Sequence, residues 1–290
     1  MDPAAARQAW RKLEPVHGLV YFAPGAEAIY ASLGAPHRGM GYFASRAAPL
    51  GPVGPEIVVA AFYNFAPATV RRAIPAAWEV ASPDEWTAAR FRVVETSLES
   101  ALPESLRSGA ELEEALGLAS RAAEAAAAHP EGRVLFAAYS ALPWPESPLL
   151  GLWHAQTLLR EFRGDGHVAA LVTEGLSGLE ALVTHAATGA ADPSGLQRSR
   201  GWTDEEWAGA CDALRGRGVL DAGPALRLTP AGLALRSRLE EATDRLAAPA
   251  YEALGDEGCA RLAELGATLS TAVVEAGLLP AAMRRYVEES

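Results

Sequence analysis

The sequence predicts a mainly α-helical protein. A helical N-terminal half is followed by a winged helix-turn-helix with a small β-hairpin wing and long C-terminal helices. Three observations carry this. Helix-starting prolines and capping boxes recur along the chain. Apolar residues keep three- and four-residue spacings rather than alternating. In the last third, a capped helix, a Gly-Pro turn between two short apolar runs, and two long helices follow in winged-helix order. The 290 residues suggest about two domains. The expected division is a helical domain over 1–145 and a winged-helix domain over 146–290.

The elements follow in chain order. Ala5 to Leu13 reads as a short amphipathic helix. Residues 55–65 (PEIVVAAFYNF) form an apolar helix opened by Pro55. Ser82-Pro83-Asp84-Glu85 is an N-cap, a first-turn proline and a capping-box glutamate, opening a helix to about Ala101. Ser108 to Glu111 repeats the box and opens a helix that Pro130 stops. Pro143, Pro145 and Pro148 punctuate the middle, and a helix over 148–162 follows. Arg163-Gly164-Asp165-Gly166 reads as a turn, with Asp165 capping a helix over 167–174. Gly175 separates that helix from another over 177–187, and 192–201 reads as a polar loop. Thr203 to Glu206 is a capping box for a helix over 203–217. Strands at 219–221 and 225–228 would make the hairpin around Gly223-Pro224. Thr229-Pro230 caps a helix to about Ala247, and 256–275 is the last long helix.

Composition excludes several classes. Half the residues are hydrophobic and 21% are charged, which gives a sizeable core and rules out wholesale disorder. Lys and Arg total 25 against 36 Asp and Glu, a net charge of −11. Broad phosphate binding needs a basic surface, so this balance argues against it. Lys12 is the only lysine, which argues against Schiff-base and pyridoxal chemistry. Cys211 and Cys259 have no metal-type spacing and indicate no disulfide framework. Phosphate-binding loops, G-x-S-x-G and H-E-x-x-H are missing, so the expectation is no cofactor and no metal. Without an apolar leader or a spanning stretch, a cytoplasmic protein with no membrane partner is expected.

The segment RGVLDAGPALRLTPAGLALRSRLEEATDRL resembles the wing and following helix of MarR-like regulators. With GYFASRAAPLG, FYNFAP and LLREFRGDGHVAAL, the whole chain resembles a bacterial helix-turn-helix family of this length. The resemblance implies a recognition helix ended by glycine, a wing, and a dimerisation helix begun by LTPAG, and hence a homodimeric transcription regulator. By position the recognition helix is 203–217. It carries Asp204, Glu205, Glu206 and Asp212 against Arg215 and Arg217. Acids suit a helix N-terminus but are badly placed against a phosphate backbone, so charge disfavours DNA as a partner. The most basic stretch is Arg198 to Arg200.

LWHAQTLLREFRGDGH is the richest polar cluster. His154, Thr157 and Glu161 recur at helical spacing, and Arg160, Arg163, Asp165 and His167 follow. His154, Glu161 and His167 are the candidates for proton transfer, since histidine tunes most easily near neutral pH. Arg160 and Arg163 could hold an anion. Structural roles are the alternative: His154 bonded in a core, and Arg160 with Glu161 as an ordinary ion pair. Tyr63 and Asn64 interrupt an apolar helix, where a buried amide needs a partner or a cavity. Tyr42 and Arg46 are polar groups in an aromatic neighbourhood. The ligand-binding candidates are therefore Tyr42, Arg46, Tyr63, Asn64, Trp153, Thr157, Arg160 and Arg163.

Phe43, Pro52 and Pro55 match Phe136, Pro145 and Pro148 at a constant offset of 93 residues. Either this is coincidence in a Pro- and Ala-rich chain, or the halves are a degenerate duplication. The expected function is a small-molecule-binding protein on a winged-helix scaffold, a ligand-responsive regulator with weak or lost DNA binding. Its ligand would be small and hydrophobic or aromatic. The alternative is an enzyme that modifies or degrades a small molecule by His/Glu/Arg acid–base chemistry. The residues leave that choice open.

Overall fold

Caps and prolines set most helix boundaries. Asp2 accepts from the Ala4 amide and opens α1 (Pro3–Gly18). Then come α2 (Ala26–Ser32), α3 (Arg38–Ala47), α4 (Pro55–Phe62), α5 (Pro67–Ala73) and α6 (Ala77–Val80). Ser82 and Glu85 form a complete capping box at α7 (Pro83–Ala101). The middle holds α8 (Glu104–Arg107), α9 (Ala110–Ala126), α10 (Val134–Ser140) and α11 (Pro148–Thr173). Ser177 with Glu180, and Thr203 with Glu206, box α12 (Gly178–Ala186) and α14 (Asp204–Gly216). Between these two lies α13 (Pro193–Arg200). Thr229 caps α15 (Pro230–Ala247), and α16 (Gly255–Glu275) and α17 (Arg285–Glu288) complete the chain. This computed structural model describes residues 1–288.

Five expectations are corrected. Residues 148–173 form one continuous helix, not two helices around a 163–166 turn. Gly166 serves close approach instead: a Cβ there would meet Arg133 Nη1 at 2.9 Å and Leu246 Cβ at 3.2 Å. Asp165 caps a different helix, accepting from the Phe136 amide of α10 at 3.0 Å. The 192–201 segment is α13 rather than a loop, with Asp192 accepting from Gly195 N and Gly201 ending it at φ +78°. The 108–111 box does not close, because Gly109, at φ +108°, occupies the cap position of α9. The helix over 55–65 stops at Phe62, where Tyr63 turns the chain at φ +49°.

The hairpin wing is likewise absent as strands. Among the described residues only an isolated antiparallel bridge joins Leu220 to Leu228. The local chemistry explains why the ladder stops. Arg215 takes the Asp221 and Gly223 carbonyls, Asp221 Oδ1 takes the Gly223 amide, and Pro224 has no N–H to give.

Two apolar cores result. The larger gathers α1, α3, α7, α9 and α10 with α11 as far as Phe162, and ends on α16 with Leu262, Leu269 and Val273. The smaller joins Ala170 and Leu171 of α11 to Leu179 and Val183 of α12, Leu214 of α14 and Leu239 of α15. Thus α11 runs through both, and α1 packs along α16 and touches α15. Between the cores α11 presents Arg163 to His167, the polar stretch with its two glycines.

Candidate functional site

A cleft of about 710 Å³ opens where the two cores diverge. That volume suits a small organic ligand. Its walls come from both sides. The first core supplies Trp10 and Glu14 of α1, Tyr42 and Arg46 of α3, and Phe62 to Phe65 after α4. The second supplies His185 of α12, Arg200 of α13, and Arg236, Glu240 and Thr243 of α15. The floor is α11, with Arg160, Glu161, Arg163, Asp165 and His167. The short α17 adds Arg285 and Tyr286.

The floor carries a chain of charges. Arg46 grips Glu161 through both carboxylate oxygens, at 3.0 and 3.2 Å. Arg160 bridges Glu161 at 3.2 Å and Glu14 at 3.0 Å. Burial pushes the Glu161 carboxyl up, but Arg46 and Arg160 outweigh it and hold it below the ordinary carboxylate range. Glu14 shows the opposite balance: burial outweighs Arg160 and raises it. Farther along, Arg163 pairs with Asp244 at 2.8 Å, and Arg7 shares that carboxylate. Arg236 pairs with Glu240 at 2.8 Å.

Aromatic faces hold several of these guanidinium groups. Arg46 lies over Phe62 at 4.3 Å, Arg163 over Trp10 at 4.6 Å and Arg200 over Phe65 at 4.8 Å. Stacking occupies the face of a guanidinium and leaves its in-plane N–H edge for an acceptor. The histidines of the cleft are neutral at pH 7. Burial lowers His167 to about 4, and burial with Arg236 lowers His185 to about 4. His167 Nδ1 meets Thr243 Oγ1 at 2.8 Å. Burial raises Asp165 to about 6.

The structure brings Tyr42, Arg46, Tyr63, Asn64, Arg160, Glu161, Arg163 and His167 to this one cleft. Tyr63 is tied across the gap by its hydroxyl to the Leu176 carbonyl, and the Asn64 carbonyl accepts from Trp202 Nε1 at 2.9 Å. Trp153, His154 and Thr157 sit elsewhere, buried in the larger core. Thr157 donates to the Trp153 carbonyl, so it accepts from His17 Nδ1 at 3.1 Å. His17 Nε2 is then the acceptor for Tyr21, whose oxygen accepts in turn from Arg90. Trp153 stacks on His17 with ring centroids 5.5 Å apart. His154 lies between Phe91 and Trp144 with neither ring nitrogen hydrogen-bonded, and burial lowers it to about 4.

A helix-turn-helix family profile matches residues 6–280, nearly the whole chain. The chain belongs to this helix-turn-helix family. No curated protein and no solved structure is similar enough to match. The helix that the sequence nominates by position for recognition, 203–217, is α14, and α13 precedes it. The solvent-facing positions of α14 are Asp204, Glu205, Glu206, Ala208, Gly209, Asp212, Ala213 and Gly216. Its two arginines are engaged within the chain: Arg215 on Asp212 and the Asp221 carbonyl, and Arg217 on Glu180 and the Gly175 carbonyl.

Sequence reasoning missed Arg7, Arg11, Glu14, His185, Arg236 and Glu240 as lining residues. Two signals were available. Arg7, Arg11 and Glu14 share one face of α1 at four- and three-residue steps, and Arg236, Glu240 and Thr243 repeat that spacing on α15. Nothing local connects His185 to the cleft.

Proposed function

We propose that this helix-turn-helix protein is a ligand-responsive regulator whose recognition of a small molecule resides in the cleft between its two cores. One observation carries the reading: the cleft takes its walls from both cores, so an occupant would touch the helix-turn-helix unit and the larger helical unit together. A molecule that prefers one relative placement of the two would shift that placement. Phe62, Phe65, Tyr42 and Trp10 offer an aromatic-lined wall for an apolar body. The α14 face, with acids and small residues outward, supports weak intrinsic affinity for DNA phosphates. A homodimer fits the regulator reading, though α16 already spends Leu262, Leu269 and Val273 inside the chain.

The test has two arms. A thermal-shift screen of small aromatic and polar compounds, backed by native mass spectrometry of the purified protein, should find ligands that raise the melting temperature. Substituting Tyr42→Ala at the cleft wall should weaken those shifts. Gel shifts on the promoter region of its own gene should show weak DNA binding that changes with ligand. Failure of every compound to stabilise the protein would overturn the reading, as would hits indifferent to the Tyr42 change.

A further inference from the structure

The charges around the cleft run against those of the chain. Eight arginines line it, out of 25 Arg and Lys in all, while only four of the 36 Asp and Glu do. A net-acidic protein has thus gathered cationic groups at one concave place. Those cations are not all matched. Arg46 and Arg160 divide Glu161 and Glu14, Arg163 and Arg7 divide Asp244, and Arg236 uses Glu240.

Arg11 donates to the Arg285 carbonyl and lies over Tyr286, and of the other seven Arg200 and Arg285 are the surplus. Among the described residues neither forms an ion pair with a carboxylate. Arg200 has the Ser199 hydroxyl at 3.1 Å and the face of Phe65, and its Nε is buried without a hydrogen-bond partner. Burial disfavours its charged form, and so does the nearness of Arg46 and Arg160. Arg285 donates to the Ala190 carbonyl at 2.7 Å and lies over Tyr286. Partly buried guanidinium groups without counter-charges carry an uncompensated desolvation cost, and an incoming anion would relieve it.

We propose that the cleft binds an organic anion carrying two negative charges, held by Arg200 together with Arg46 and Arg160 against the Phe62–Phe65 wall. This deepens the ligand-chamber reading and rests on it. Two negative charges can come from a dicarboxylate or from a phosphate monoester, and the recognition chemistry is shared. Arg200 ends α13, while Arg46 belongs to α3 in the larger core. An anion between them would therefore tie α13, which packs on α12 of the smaller core, to the rest of the molecule by charge. The backbone already touches there, since the Ala66 amide donates to the Arg200 carbonyl at 2.9 Å.

Four probes of one aromatic body separate the possibilities by calorimetric titration at pH 7.5: benzyl alcohol, benzoate, phthalate and phenyl phosphate. The dianions should bind at least about tenfold tighter than benzoate, and benzyl alcohol weakest. A preference between phthalate and phenyl phosphate identifies the anion chemistry, and either one supports the proposal. Arg200→Gln should remove most of the dianion advantage, with benzyl alcohol little changed. Arg71→Gln, at an exposed pair with Glu56 outside the cleft, should alter nothing. Salt gives a readout that needs no variant, because added salt should weaken dianion binding and spare benzyl alcohol. Equal binding of benzyl alcohol and the dianions would overturn the charge inference and leave the chamber standing. Absence of binding by all four would also overturn it, and the compound screen would then judge the chamber separately.

Discussion

At the residue scale, the glycines and histidines were the hardest to read. Gly166 looks like half of a turn in the string Gly-Asp-Gly, yet it lies inside a helix, against Arg133 and Leu246. Only the tertiary neighbour reveals that role, because a helical glycine and a turn glycine look alike in sequence. Gly178 is a second such position. An added Cβ would overlap the Tyr63 carbonyl, which is backbone and cannot swing aside. Gly178→Ala should therefore cost about 1–3 kcal/mol in urea unfolding, and a change below measurement error would contradict this contact. His154 behaves differently. Its ring nitrogens have no partners, so an apolar ring loses no hydrogen bond there. His154→Phe should leave stability at pH 7.5 within about 1 kcal/mol of the parent. A loss of several kcal/mol would mean that the imidazole has a bonded role.

At the scale of elements, capping chemistry was the most legible feature. Ser82, Thr203 and Thr229 act as N-caps where the sequence places them. Two of the failures share a cause: a polar side chain that satisfies a neighbouring element rather than its own. Asp165 reads as a local cap but closes the start of α10 from the side of α11. Arg215 draws the 221 and 223 carbonyls inward, so the expected hairpin forms a bridge and no strands. The Asp165 assignment makes a paired prediction. Asp165→Ala removes an acceptor from a free helix-end amide and should cost about 1–2 kcal/mol. Asp165→Asn keeps an oxygen acceptor and removes a carboxylate that burial disfavours, so it should cost clearly less at pH 7.5. Equal losses for the two variants would rule out the cap as the side chain's main role. The candidate site was partly legible for the same reason. The polar run 160–167 on α11 was visible, whereas the α1 and α15 walls are brought to it only by tertiary contacts.

At the scale of the whole molecule, burying titratable groups in the larger core and along the cleft fixes how stability responds to acid. His154, His167 and His185 are held near 4, against about 6.5 in an unfolded chain. Burial lowers His17 well below its ordinary value as well. Between those limits the unfolded chain takes up protons that the folded chain refuses, so stability rises with pH from about 4 to 6.5. Asp165 works the other way. Its folded value of about 6 lies above the ordinary carboxylate range, so its term favours the folded chain in acid and fades as pH climbs through that window. Glu14, raised, adds to the Asp165 side, and Glu161, lowered, adds to the histidine side, so the two carboxyls oppose each other. Four histidines against one aspartate leave a net gain with pH, on the order of a few kcal/mol. Urea midpoints should therefore climb from pH 4.5 to about 6.5 and then level off. His154→Phe should shrink that climb without shifting the plateau. A flat profile, or one that falls over this range, would show that the histidines titrate freely in the folded chain.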